Sequence, residues 1–266
     1  MHAGFLAAEP WRGQLDEPPR LEGDFLNSSR VAFVYSSSTC DSIAAADMLA
    51  VVAAETPDQA RAAAAAVALD VTELPPMTNL VEAAKVPANI LATSSVSKGD
   101  ASAALSAGIA HVAEDIFTTQ VIDQAFLEPE ASLVEPEEDG GFRIFSCGQG
   151  VFDDQIQLCA LFDMPPEKLR IVLVPTGGGF GAKEDLNVQP QALLLAKLTN
   201  RPVKLALNME ESTRFHPKRH PLRMHYKVGC DADGNLVAVH ARILGDTGGY
   251  ASVGDKVLER AAGHAC

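Results

Sequence analysis

Leu169-Arg-Ile-Val-Leu-Val-Pro-Thr-Gly-Gly-Gly-Phe-Gly-Ala-Lys-Glu184 is the stretch on which the reading of this chain turns. Leu169–Val174 is an apolar run of strand length, and it leads straight into Gly177-Gly-Gly-Phe-Gly181. Glycines at this density let backbone N–H groups approach a ligand that side chains would exclude. A helix is expected from about Glu184 to Leu198, which would put the loop at a helix N-terminus, where an anion is favoured. A Walker A loop does not fit, because Ala182-Lys183-Glu184 puts a carboxylate where a magnesium-binding hydroxyl is needed. A dinucleotide fingerprint fits only loosely, as Gly177-x-Gly179-x-x-Ala182. The ribose-binding acid expected about twenty residues on is missing, and Thr199-Asn-Arg-Pro202 stands there. A turn kept for packing alone accounts for neither the four glycines nor the large apolar Phe180 among them.

Working outward, Val151–Phe162 has helical spacing, with Phe152, Ile156, Cys159 and Ala160 as its apolar set. Strands are expected on either side of the turn Glu135-Pro-Glu-Glu-Asp-Gly-Gly141. Downstream, Pro202–Leu207 reads as a strand, and Leu222–Gly229 with Leu236–Leu244 reads as a hairpin around Asp233-Gly234. Upstream, a short helix near Ala101–Ala107 precedes a strand near His111–Thr119. Residues 85–100 are poor in large apolar groups and read as a connection between domains. Earlier still, Val31–Tyr35 and Met48–Ala53 are strand-like. Thr56, Pro57 and Gln59 form a capping-box start for an alanine-rich helix, and Leu69–Leu74 alternates like a further strand. Residues 1–30 read as an irregular lead-in.

The chain has 266 residues, of which 47% are hydrophobic and 21% charged, as in a globular protein of one large or two ordinary domains. Lys and Arg number 21 against 35 Asp and Glu, a net charge of −14, which argues against binding nucleic acid. No segment is apolar for long enough to span a bilayer, and no secretory signal is visible, so a cytoplasmic location without membrane contact is expected. Cys40, Cys147, Cys159, Cys230 and Cys266 are widely spaced without CxxC, so buried reduced thiols are expected rather than zinc or iron–sulfur ligands. The seven histidines show no metal-ligand spacing.

Gly177–Glu184 resembles the signature of the molybdenum-binding subunit of the xanthine dehydrogenase and aldehyde oxidase family. Phe126-Leu-Glu-Pro129, Cys147-Gly-Gln-Gly150 with Gln155, and Ala160-Leu161 resemble its upstream segments. Arg219-His-Pro221, Tyr226–Gly229, Asp233-Gly234, Asp246–Tyr250 and Leu258-Glu-Arg260 follow in the family's order. The resemblance implies an α+β fold. Residues 31–95 would be a partial α/β hammerhead domain, and 105–266 the first molybdopterin-binding lobe, truncated at its C-terminal end.

In that family a pterin-held molybdenum hydroxylates a carbon of a heteroaromatic ring or an aldehyde with water-derived oxygen and takes two electrons. The resemblance implies that Gln149 hydrogen-bonds an oxo ligand of the metal through a neutral amide, and that Gly179, Phe180 and Gly181 lie against the molybdenum and pterin. Gln149 and Phe180 would thus be near the metal without ligating it. Glu184 and Arg260 match the pair that grips purine heteroatoms and stabilises charge developing on the ring, which points to hypoxanthine or xanthine as substrate. Taken alone, Glu184 would be a residue at a helix start and Arg260 a solvated surface cation. An aldehyde or another N-heterocycle is the alternative substrate class. The pterin would be molybdopterin or its cytosine dinucleotide form, with [2Fe-2S] clusters and FAD on partner chains or domains.

No residue matches the family's catalytic base glutamate, and the second molybdenum domain is not represented. General-base catalysis contributes roughly 10² to 10⁴ in rate, so the isolated chain is expected to be inactive. A non-catalytic remnant is the reading from another class. The combined presence of Gln149, the glycine loop and Arg260 opposes it, because packing alone needs no such polar set.

Overall fold

The computed structural model describes residues 31–36, 48–68, 77–248 and 253–265. In chain order, β1 (Val31–Ser36), β2 (Met48–Ala54) and α1 (Pro57–Ala65) come first. Next are α2 (Leu80–Ala83), α3 (Ala101–Ser106) and β3 (His111–Thr118). Then follow β4 (Ala131–Pro136), β5 (Phe142–Ser146), α4 (Val151–Phe162), β6 (Leu169–Leu173), α5 (Gln189–Thr199), β7 (Val203–Ala206) and α6 (Met209–Phe215). The last elements are β8 (Leu222–Cys230), β9 (Leu236–Gly245) and α7 (Gly254–Gly263). Among the described residues the fold is mixed helix and sheet. The expected strand Leu69–Leu74 and the lead-in 1–30 lie outside the described residues.

The chain divides into two compact units. One takes the described residues 31–36 and 48–68 together with 124–217, and the other takes 77–123 with 218–248 and 253–265. The segment expected to connect domains, 85–100, carries a short 3₁₀ turn at Pro87–Asn89 and belongs to the second unit.

The first unit is built on a six-stranded sheet in the order β2-β1-β7-β4-β5-β6. β5 and β6 run parallel, with Phe142 opposite Leu169 and Ser146 opposite Leu173, while β4 runs antiparallel to β5, with Ser132 opposite Ser146. A parallel pair needs a crossover, and α4 supplies it. Val134, Ile144, Leu169, Val203 and Leu205 from the sheet meet Leu158 of α4 and Ala192, Leu193 and Ala196 of α5 in one core. The N-terminal strands join this sheet, since β1 pairs antiparallel with β2 and parallel with β7. α1 opens as the sequence predicts. Thr56 Oγ1 accepts from the Gln59 amide, and the Gln59 side chain returns a bond to the Thr56 N–H.

Two helix expectations are corrected. α5 starts at Gln189 rather than near Glu184, because a helix begun at 184 would carry Pro190 in its interior, where the ring meets the preceding turn. With Pro190 in the first turn there is no such conflict. On α4, Phe152 is 80% and Ile156 66% exposed, and the buried residues are Asp154, Leu158 and Cys159. The helix is held in this rotation by Gln155, whose amide donates to the Leu169 carbonyl at 2.6 Å and the Pro166 carbonyl at 3.1 Å.

The second unit contains the three-stranded antiparallel sheet β3-β8-β9. Its hairpin turns at Asp231–Asn235, where the Asp231 carboxylate accepts from the amides of Asp233 and Asn235. That turn holds the Asp231 carboxyl below its ordinary pKa through the Asn235 side chain and these backbone donors. No helix among the described residues is long and apolar enough to cross a membrane.

Candidate functional site

The topology of the first unit brings three distant segments to one end of its sheet. Gln149 sits three residues beyond the carboxyl end of β5, and the glycine loop leaves the carboxyl end of the parallel neighbour β6. Glu128 lies three residues before β4, which runs the other way, and so reaches the same end. Crevices outside the carboxyl ends of parallel strands are where open α/β sheets place ligands.

The loop is tied to Gln149 in several places. The Gln149 N–H donates to the Lys183 carbonyl at 2.7 Å. The Gln149 side-chain oxygen accepts from the amides of Gly181 at 3.0 Å and Lys183 at 3.2 Å. Two donors on one side of the amide identify that side as its carbonyl, so the outward side is the NH₂ group. That group has no hydrogen bond among the described residues, and Gln149 is exposed. The approach is close: a Cβ at 179 would stand 2.8 Å from the Gln149 amide carbon, so a larger residue there would have to displace that side chain. Gly181 has φ +95, which reverses the chain after Phe180. Phe180 itself adopts φ 53 and is 62% exposed, so it is not a core aromatic. An apolar ring held outward in a rarely populated conformation points to a contact outside the chain's own core.

Glu184 is exposed in the bend that follows. It therefore caps no helix, since α5 begins five residues later. Arg260 is exposed in the last turn of α7, which belongs to the second unit. Gln149, Gly179, Phe180, Gly181 and Glu184 thus share one unit, and Arg260 is in the other.

Three further side chains near these segments, those of Lys183, Glu128 and Asp154, carry no mark of their role in the sequence. Lys183 is 1% exposed at its side chain, and its ammonium lies 3.0 Å from Glu128 and 4.8 Å from the Phe126 ring centre. Burial alone would raise the Glu128 carboxyl, but the Gly177 amide and the Lys183 ammonium outweigh it and hold the group below its ordinary pKa. Asp154 is fully buried, and its Oδ1 has no hydrogen-bond partner among the described residues. Desolvation pushes its carboxyl up to about 7 against a hydrogen bond from Gln189, with Asp153 and Asp185 adding to the rise. Nothing in the sequence marks Lys183 or Asp154 as buried. Glu128 was visible only as part of the Leu-Glu-Pro stretch.

Glu211 completes the cap of α6 with Asn208, and the His220 ring contacts the Asp246 carbonyl, so both have structural partners. Cys147 and Cys159 are buried free thiols, Cys230 is a half-buried one, and Cys40 and Cys266 lie outside the described residues. Among the described residues no group of three His, Cys, Asp or Glu could hold a metal ion.

Comparisons with known proteins agree on one family for the chain. A family model described as molybdopterin cofactor-binding domain matches residues 82–266. The chain is 38% identical over 226 residues to a probable xanthine dehydrogenase subunit of Bacillus subtilis, covering 82% of this chain and 30% of that protein. It is 37% identical over 225 residues to the nicotinate dehydrogenase large molybdopterin subunit of Eubacterium barkeri, covering 82% and 53%. Among solved structures, the aldehyde oxidoreductase of Desulfovibrio gigas superposes with a TM-score of 0.72 at 26% identity, over 80% of this chain and 24% of that one. The chain therefore spans about half or less of each of these relatives.

Proposed function

Since the chain belongs to the molybdopterin cofactor-binding domain family of xanthine dehydrogenase and aldehyde oxidoreductase molybdenum subunits, we propose that it is part of a molybdenum hydroxylase acting on purine-type rings. In this reading residues 105–266 form the first cofactor-binding lobe. Residues 31–95 form a partial hammerhead domain, whose strands β1 and β2 continue the lobe's sheet.

The residues present suit the cofactor. The observation that carries the reading is the Gln149 amide, whose oxygen is taken by two loop N–H groups, leaving a neutral pair of N–H donors facing outward. A neutral donor suits an oxygen-bearing metal centre whose charge is already balanced by its own ligands. Gly179 and Gly181 keep side chains out of the way, and Phe180 offers an apolar face that excludes water. When bound, the pterin-held molybdenum would supply the two-electron oxidation and the oxygen transfer to carbon. This chain's part is to hold that group with Gln149 and the loop, and to orient the ring. Glu184 would accept a hydrogen bond from a ring N–H, and Arg260 would offset negative charge developing on the ring. No residue of this chain is assigned as general base. A second molybdenum domain, [2Fe-2S] clusters and FAD on other domains or chains would complete the enzyme. Molybdopterin or its cytosine dinucleotide form would be the bound pterin.

A second reading, hydroxylation of another N-heterocycle or an aldehyde, is favoured by the nearly equal identity to the nicotinate dehydrogenase subunit. Glu184→Val and Arg260→Tyr in the full protein separate the two. Loss of purine turnover by about 10² or more, with aldehyde turnover much less affected, is the expected result for a purine enzyme. Equal loss on both substrates would count against the purine assignment. Absence of molybdenum and pterin from the purified full protein would overturn the hydroxylase reading altogether and favour a non-catalytic remnant.

A further inference from the structure

The glycine loop is anchored at its start as well as at its end, and the anchor at its start is an ion pair. The Glu128 carboxylate accepts from the Gly177 amide at 2.8 Å, and the same oxygen takes the Lys183 ammonium at 3.0 Å. Lys183 also bonds Gln149 through both backbone groups, its N–H donating to the side-chain oxygen and its carbonyl accepting from the Gln149 N–H. One residue therefore links the loop's entry, through its ammonium, to the loop's exit, through its main chain. The ammonium is buried on every side, against Glu128, the Cys147 sulfur at 3.6 Å and the Phe126 ring. A lysine does not bear such desolvation without a fixed counter-charge.

Resting on the hydroxylase reading for its target, we propose that Glu128 and Lys183 are positioning residues: the pair closes the glycine loop like a buckle and so aims the outward N–H donors of Gln149. If the pair opens, Gly177 loses its acceptor and the Lys183 backbone is no longer held from below, so the two amides that orient Gln149 can move apart. Neither residue needs to touch the cofactor or substrate for this.

The test uses the full protein carrying Lys183→Met, Glu128→Gln, the double variant and Lys183→Arg. Two readouts are taken: backbone hydrogen exchange across 174–184 in cofactor-free and loaded protein, and the Mo(V) electron paramagnetic resonance spectrum of reduced protein with its metal content. Either single variant is expected to speed exchange at Gly177 and Gly181 about tenfold, the loss of one charge-assisted hydrogen bond. The double variant should add little, because both changes break one linkage. Lys183→Arg should recover part of the protection, and the Mo(V) lines should shift in the Met and Gln variants while molybdenum is retained. Unchanged exchange in Glu128→Gln, whose side chain is 37% exposed and whose replacement keeps its shape, overturns the buckle. Faster exchange with an unaltered Mo(V) spectrum reduces the pair to support of the fold and overturns the aiming role. Should the wild-type protein carry no molybdenum, the hydroxylase reading and the aiming role fall together. Exchange in the metal-free protein then still decides whether the pair closes the loop.

Discussion

Asp154 shows how far a single residue's behaviour is set by its surroundings. An aspartate in the first turn of a helix is ordinarily ionised and welcome there. Here it is fully buried beside Gln189, and its carboxyl is raised to about 7. The unfolded chain gives up this proton near 3.8 and the folded chain near 7, so between those values the folded state binds more protons and stability falls as pH rises. The contribution is fully present below the unfolded value and is lost as pH passes through the folded one. Asp154→Asn is therefore expected to flatten this part of the pH dependence and to stabilise the protein above pH 7, by about 1.4 kcal/mol for each tenfold difference in proton affinity between the two states that it removes. Denaturant unfolding of both proteins at pH 5 and pH 8 checks it, and a greater gain at pH 5 than at pH 8 would contradict the burial argument.

At the scale of elements, the loop between β6 and α5 depends on close approach rather than on regular structure. Gly179→Ala is expected to push the Gln149 amide aside, costing about 1–3 kcal/mol by overpacking. If the cofactor reading holds, the variant should also retain less molybdenum, read by metal analysis of the full protein. Equal melting temperature and metal content in the variant would show that the loop has room the geometry denies. α4 and α5 show why helix detail was only partly legible. The Phe152 and Ile156 spacing is genuinely helical, but the side facing the core was chosen by Gln155 reaching the β6 carbonyl and by Leu158 packing on the sheet. The start of α5 could have been read from Pro190 alone.

At the scale of the whole chain, β7 is the strand on which the first unit depends, because it pairs with β1 on one side and β4 on the other. Leu205 lies in it fully buried. Leu205→Ala is expected to cost roughly 2–5 kcal/mol in equilibrium unfolding, and a loss well below that range would mean the site collapses to fill the space. Apolar spacing, turn residues and caps by themselves determined the type of many elements in the described residues, including the α1 capping box and the β8–β9 hairpin, since those depend on neighbours a few positions away, whereas the short helices α2 and α6 were not read from the sequence. That Gln149 and the glycine loop belong together was likewise legible, through residue types in a fixed order. Strand order, the face α4 buries, the ionisation of Asp154 and the Glu128–Lys183 pair were decided only by tertiary structure. The last two join residues 35 and 55 positions apart, and the free energies of burial and desolvation that set all four exist only once the sheet has formed.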